Sequence, residues 1–537
     1  MEGLGLRVRC LASTRVQDWD EEEEDGRTTE EEIKPDVEEE EEEEEEEEVG
    51  QRDVEELEEE KAQCQRDVKD IEEEKQASYQ NQTETLPQNA DLEADREGSD
   101  VESVPSPSSE SESASSSSEA SSEPRSLPPE ESYLSCIQEA QLSPDETCIF
   151  TSSYNRTFNV YPMDTSFAAG QNMQSLAPYA SFKAANPIWA FAANPLFNLH
   201  DANTTHVLIS QRDSYITLHN ALWDLSQPCA TPNPPTTPVN ISTPLSFYKK
   251  INPLTEAVTA PLSLAYAPTG THFFAGLQNS IATFDITHTA GPIHTTRTIP
   301  SLRNKRKGGG RGFKGSISAL ALSPPSSLHG HGLLAAGSRT RYLGLYDATA
   351  GVETTSFPLP GAVAAQRTMR NETLAHALGD GVASLQWSAC GNYLYVAERH
   401  ADVLLLYDVR NYALALAYCV GRRASTKQKL GFDLWSPGPA APHEVWAGGV
   451  DGCVRVWRAP YAKEGPVEPD DVVRVGARAM PVVSTLVHSS GGLAVAASGR
   501  IEVGAGEKGR PAPGTRRGGG VRPVFREWGR LDLLGLS

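Results

Sequence analysis

Six cations crowd one glycine-rich stretch, RNKRKGGGRGFKG, in which Arg303, Lys305, Arg306, Lys307, Arg311 and Lys314 surround Phe313. Cations held close together lower the free energy of a phosphate backbone, glycines let the chain track it, and an aromatic ring can stack on a base. The stretch reads as an RNA contact, and it reads equally well as a nuclear-import signal. Arg212, Arg341 and Arg399 form a second set. Each lies near a tight turn of a repeated unit, so the three are expected to approach one face of the fold and to hold RNA there. The competing expectation is that each bonds a neighbouring carboxylate, such as Asp213 or Asp402, and only braces its turn, because the guanidinium fork suits both tasks.

Catalysis has little to stand on. The chain contains no G-x-x-x-x-G-K-[ST], no G-x-S-x-G and no H-E-x-x-H, and its GGGRG run does not follow a strand and open a helix as a phosphate loop would. His206, His219, His272 and His400 are dispersed and expected to be structural. The eight cysteines are scattered without a C-x-x-C pair, so neither a zinc site nor a disulfide framework is expected. No catalytic residue, metal or cofactor is predicted.

These residues need a scaffold, and the charge distribution says where it lies. Residues 1–130 hold 46 acidic and 12 basic side chains, while the remainder holds 28 and 35. The overall charge of −27 therefore hides a mildly basic portion behind a strongly acidic one. The first 130 residues include an unbroken glutamate tract from Glu38 to Glu48 and the serine-rich VPSPSSESESASSSSEASSEP. Such a composition buries too little apolar area to offset its ordering entropy, so residues 1–130 are predicted to be a disordered tail. Ser109 and Ser116, each with Glu three residues on, suit acid-directed kinases, and Ser106 precedes a proline. No stretch reaches the roughly 18 apolar residues of a membrane span, so no membrane association and a reducing compartment are expected.

From 131 to 503 one pattern recurs seven times: an apolar strand, a turn, a second apolar strand ending in small residues, a tight turn, and a third strand ending in an aromatic or histidine. LSLAYAPTGTHFFAGLQNSIATFDI and VASLQWSACGNYLYVAERHADVLLLYDVR show it most plainly. Asn155, Asp213, Asn279, Asp402 and Asp451 supply the tight turns, and only Arg339, Thr340 and Arg341 break that rule. The third strands end at Tyr161, His219, Phe284, Tyr346, Tyr407 and Trp457, three of them followed by Asp285, Asp347 and Asp408, a degenerate Trp-Asp signature. Strands apolar on both faces suit sheets packed between neighbours, so the fold class is all-β, a seven-bladed WD-repeat β-propeller, monomeric as a ring. Residues 504–537, Gly-, Pro- and Arg-rich, are predicted to be a second disordered tail without a final outer strand.

With the seven copies in order, the chain resembles the telomerase Cajal-body WD-repeat protein family and its fungal members. SPDETCIFTSSYNRTFNVY is similar to that family's first blade, LISQRDSYITLHNAL to its second, and CGNYLYVAERHADVLLLYDVRN, with Arg399, Asp402, Asp408 and Arg410, to its fifth. The resemblance implies a nuclear protein, in the Cajal body or nucleoplasm with a cytoplasmic pool left open. It also implies binding of small Cajal-body RNA of the box H/ACA type, or small nuclear RNA, and work with ribonucleoprotein proteins in particle biogenesis or localisation, including telomerase RNA in animals. The alternative from another class is a protein-only adaptor whose acidic tail engages basic partners such as histones.

Overall fold

The computed structural model describes residues 6–15, 134–164, 173–224, 237–252, 255–300, 312–326, 330, 332–360, 379–412, 414–438, 441–475, 480–504 and 524–537. The glutamate tract, the serine-rich stretch and the candidate phosphorylation sites all fall outside these residues. About half of what is described is strand, in seven mainly antiparallel sheets that follow one another around a ring.

The innermost strands of blades one to seven are Ile137–Leu142, Ile188–Ala193, Ser263–Tyr266, Ile317–Leu322, Val382–Trp387, Phe432–Trp435 and Val482–Val487. Each pairs with the strand that follows it, and residues from all seven line a central channel. The aromatics and histidine that mark the third strands (Tyr161, His219, Phe284, Tyr346, Tyr407 and Trp457) are all buried. The aspartates after them nucleate turns. Asp285 accepts from the Thr287 amide at 2.7 Å, Asp347 from Thr349 at 2.9 Å, and Asp408 from Arg410 at 2.9 Å.

The small residues that close the second strands have a steric cause. A Cβ on Gly337 would lie 2.4 Å from Val382, and one on Gly448 would lie 2.4 Å from the Val482 carbonyl, both in the inner strand of the next blade. A side chain there would push neighbouring blades apart. Between the sheets sit apolar clusters such as Leu343, Leu345, Val382, Leu394, Val396 and Tyr407, shared by blades four and five.

The seventh blade corrects the expectation for both termini. Val524–Leu536, expected to be disordered, is a strand that runs antiparallel to Leu493–Gly504 over twelve residue pairs. The outer strand is Val8–Ser13, paired with the C-terminal strand from Val8↔Leu536 to Ser13↔Asp532. The ring is therefore closed by both ends of the chain: the tail boundary at 130 cuts away one strand of blade seven, and the boundary at 504 removes another. Burial explains the pairing. Leu11 and Ala12 join Leu531, Leu533, Leu493, Val495 and Ile137 in one cluster at the junction with blade one. Arg530 and Asp532, each 1% exposed, form an ion pair at 2.8 Å inside this sheet. No helix among the described residues is long and apolar enough to cross a membrane.

Candidate functional site

Tight turns between second and third strands, and the connections entering each inner strand, emerge on one face of the ring. In blades one, two, four and five the first residue past the second strand is fixed by the same backbone hydrogen bond. Tyr154 donates to Cys136, Arg212 to Pro187, Arg339 to Ser316 and Arg399 to Gly381. These four positions are equivalent in register, since Ser153, Gln211, Ser338 and Glu398 each pair with the first residue of an inner strand.

The three arginines singled out in the sequence do not act together. Arg212 lies on this face, exposed, 3.4 Å from Asp213. Arg341 sits two residues past the equivalent register, with φ of 64°. Its fork donates to both Glu398 oxygens, at 2.7 and 2.9 Å, and to the Pro360 carbonyl. With Arg341 14% and Glu398 2% exposed, this is a strut between blades four and five, and the expectation of RNA contact by Arg341 is corrected accordingly. Arg399 alone of the three lines an open cavity.

Of the basic stretch, Arg303, Lys305, Arg306, Lys307 and Arg311 lie outside the described residues. Phe313 is 1% exposed and stacks on Tyr342 with centroids 5.9 Å apart, so the base-stacking role expected of it is corrected: it is a core residue. Its amide donates to the Thr298 carbonyl at 2.8 Å, and the Thr298 hydroxyl donates back to the Phe313 carbonyl at 2.9 Å. Lys314 is half-buried, and its carbonyl accepts from the Thr340 hydroxyl. Asn279 locks the same feet, accepting from the Gly315 amide at 2.8 Å. Phe313, Lys314 and Gly315 are thus anchored on the turn face, between blades three and four.

The feature that the sequence reading missed is the channel mouth on this face, a cavity of about 460 Å3. Arg339, Arg399, Lys427 and Lys429 line it together with Glu139, Tyr154 and Trp189. Glu139 is committed to Lys429 at 2.8 Å. Among the described residues no carboxylate pairs with Arg339, Arg399 or Lys427. One Arg399 Nη donates to the Lys427 carbonyl at 2.7 Å, while its Nε is buried without a partner. Burial, and then the like charge of Arg339, lower the Arg399 pKa, against a smaller opposing effect of Glu139. A buried donor without an acceptor costs about 1–3 kcal/mol, which an incoming anion would offset. Tyr154 is 49% exposed beside these cations, and Trp189 is half-buried.

Of the dispersed histidines, His219 is structural. His219 bonds the Ile241 carbonyl and the Thr217 hydroxyl and stacks on Phe182. No group of three or more potential metal ligands comes together among the described residues.

No protein-family model matches the chain. It is similar to Telomerase Cajal body protein 1 of Homo sapiens, 25% identical over 318 residues that make up 59% of this chain and 48% of that one. The Mesocricetus auratus protein of the same name is 26% identical over 333 residues, 60% of this chain and 52% of its own. The chain spans about half the length of these relatives. A protein of Schizosaccharomyces pombe named Guanine nucleotide-binding protein negative regulator 1 is 24% identical over 335 residues, 60% of this chain and 71% of its own. The resemblance read from the blade motifs agrees with these similarities, and the chain is a WD-repeat propeller.

Proposed function

We propose that this chain is a non-enzymatic nuclear scaffold that binds small nuclear or small Cajal-body RNA during ribonucleoprotein biogenesis or localisation. The observation that carries the reading is the similarity to Telomerase Cajal body protein 1 over about 60% of the chain. Geometry supports it: Phe313, Lys314 and Gly315, which directly follow the basic cluster in sequence, are anchored on the face that opens onto the cationic mouth. Replacing Arg303, Lys305, Arg306 and Lys307 with alanine tests the insertion. At about 0.7 in slope per phosphate contact on single strands, RNA affinity of the purified chain should fall and its log–log salt dependence should flatten by roughly two to three units. Unchanged affinity and slope with failed nuclear entry would make the insertion an import signal only.

The second reading is a protein-only adaptor, favoured by the name of the fission-yeast relative, which describes a regulator of a guanine nucleotide-binding protein. In that reading the acidic segment engages basic partners such as histones, and purified chain shows no salt-dependent RNA binding.

A further inference from the structure

We propose that the channel mouth is a phosphate clasp for single-stranded nucleic acid, with a phosphate bridging Arg339 and Arg399 and a base resting on Tyr154 or Trp189. The inference rests on the RNA-scaffold reading and names the site within it.

Four features of the mouth converge on this ligand. Arg339 and Arg399 occupy equivalent positions in adjacent blades, and the backbone amides that fix them donate to Ser316 and Gly381. Both arginines line the mouth and the charge of Arg339 acts against that of Arg399, while Glu139, the one carboxylate among the described residues of the lining, is already taken by Lys429. The buried Arg399 Nε has no acceptor among the described residues, although one Nη of the same side chain donates to the Lys427 carbonyl. A tetrahedral oxyanion seated between the two arginines would satisfy that donor and cancel the repulsion at once. The volume, about 460 Å3, falls within the roughly 300–1,000 Å3 of small-ligand clefts, enough for a nucleotide-sized group and too small for a duplex.

The aromatics decide between nucleic acid and an acidic peptide. A carboxylate gains nothing from a flat π face, whereas an unstacked base does. Tyr154 is the register equivalent of the two arginines in blade one, so the ring that would accept the base is fixed by the same backbone device as the cations that would accept its phosphate. Lys427, exposed at the edge, extends the positive field outward.

The test uses the full chain and a short fluorescein-labelled single-stranded RNA, with unlabelled polyglutamate and inorganic phosphate as competitors. Arg339→Gln combined with Lys427→Gln should weaken binding at least tenfold and flatten the salt slope by about 1.4 units, 0.7 for each lost contact. Tyr154→Ala should weaken binding about tenfold with the slope unchanged, since stacking releases no counterions. Arg399→Lys, which keeps charge but loses the fork, should weaken binding while near-ultraviolet dichroism shows an intact ring. If the double variant and Tyr154→Ala bind as the wild type does while the basic-insertion variant does not, the clasp is wrong and the RNA reading stands. If the wild-type chain binds no RNA, the reading itself falls. Displacement of RNA by polyglutamate at equal charge concentration, with Tyr154→Ala silent, would make the mouth an acidic-peptide site and overturn the proposal.

Discussion

Deleting residues 1–15 should unlock the ring, although the deletion leaves the acidic segment and every other blade strand in place. The deleted strand, Val8–Ser13, contributes five register pairs to the C-terminal strand, and Ala12 and Ser13 also pair with Gln174 and Ser175. Leu11 is 4% exposed and Ala12 fully buried against Leu531 and Leu533. Truncating one such leucine to alanine costs about 3 kcal/mol, so losing the whole strand costs at least that much and strips the cover from the sheet beneath. At roughly 2 °C per kcal/mol for a chain of this size, the thermal midpoint should fall by about 5 °C or more. Calorimetry and hydrophobic-dye binding measure the loss, and a synthetic peptide of residues 6–15 added in trans should restore the midpoint. Leu11→Ala should give a smaller fall in the same direction. A deletion variant with unchanged midpoint and no dye binding would refute closure by the N-terminal strand and restore residues 1–130 as a dispensable tail.

Further expectations follow from the packing. Arg341→Ala should cost about 3–5 kcal/mol in unfolding experiments because it strands the buried Glu398, whereas replacing both partners with apolar residues should be close to neutral. Phe313→Ala should cost about 3–5 kcal/mol and leave the salt slope of RNA binding untouched, since the ring lies in the core. Between pH 6.5 and 4, two buried groups oppose each other. Burial holds His443 down at about 4, so the unfolded chain takes up its proton first and acidification through this window destabilises; burial pushes Asp433 up to about 6, so the folded chain takes up its proton first and acidification from 6 towards 3.8 stabilises. Each contribution is about 3 kcal/mol at 1.36 kcal/mol per unit. Urea titrations across this window should show His443→Gln gaining stability on acidification and Asp433→Asn losing it, both relative to wild type; the same slope in all three chains would contradict the assignment.

The repeat was legible in the sequence because it states a steric rule seven times. Small residues such as Gly337 and Gly448 end the second strands where the next blade's backbone approaches, and aromatics such as Tyr407 and Trp457 fill the space between sheets. Closure was not legible, because the partners of blade seven lie at opposite ends of the chain and each is a single strand with no repeat to set it apart. Their alternation was available: Val8, Cys10 and Ala12 at one end, and Leu531 and Leu533 at the other. The mouth was half legible. Reading arginines by proximity to a turn selected Arg341; counting from the inner-strand pairing selects Arg339 instead, and groups it with Tyr154, Arg212 and Arg399. Phe313 misled because its neighbours in sequence are glycines and cations, while its neighbours in space are Tyr342 and Leu334.

Crosslinking the full chain to RNA in cells and sequencing what is attached asks whether this ring is an RNA-binding scaffold. Small nuclear or small Cajal-body RNAs should be enriched, with crosslinks mapping to peptides of the turn face that carry Tyr154, Arg339 or Arg399. Recovery of background RNA alone, or crosslinks confined to the opposite face, would contradict it and leave the protein-only adaptor as the better account.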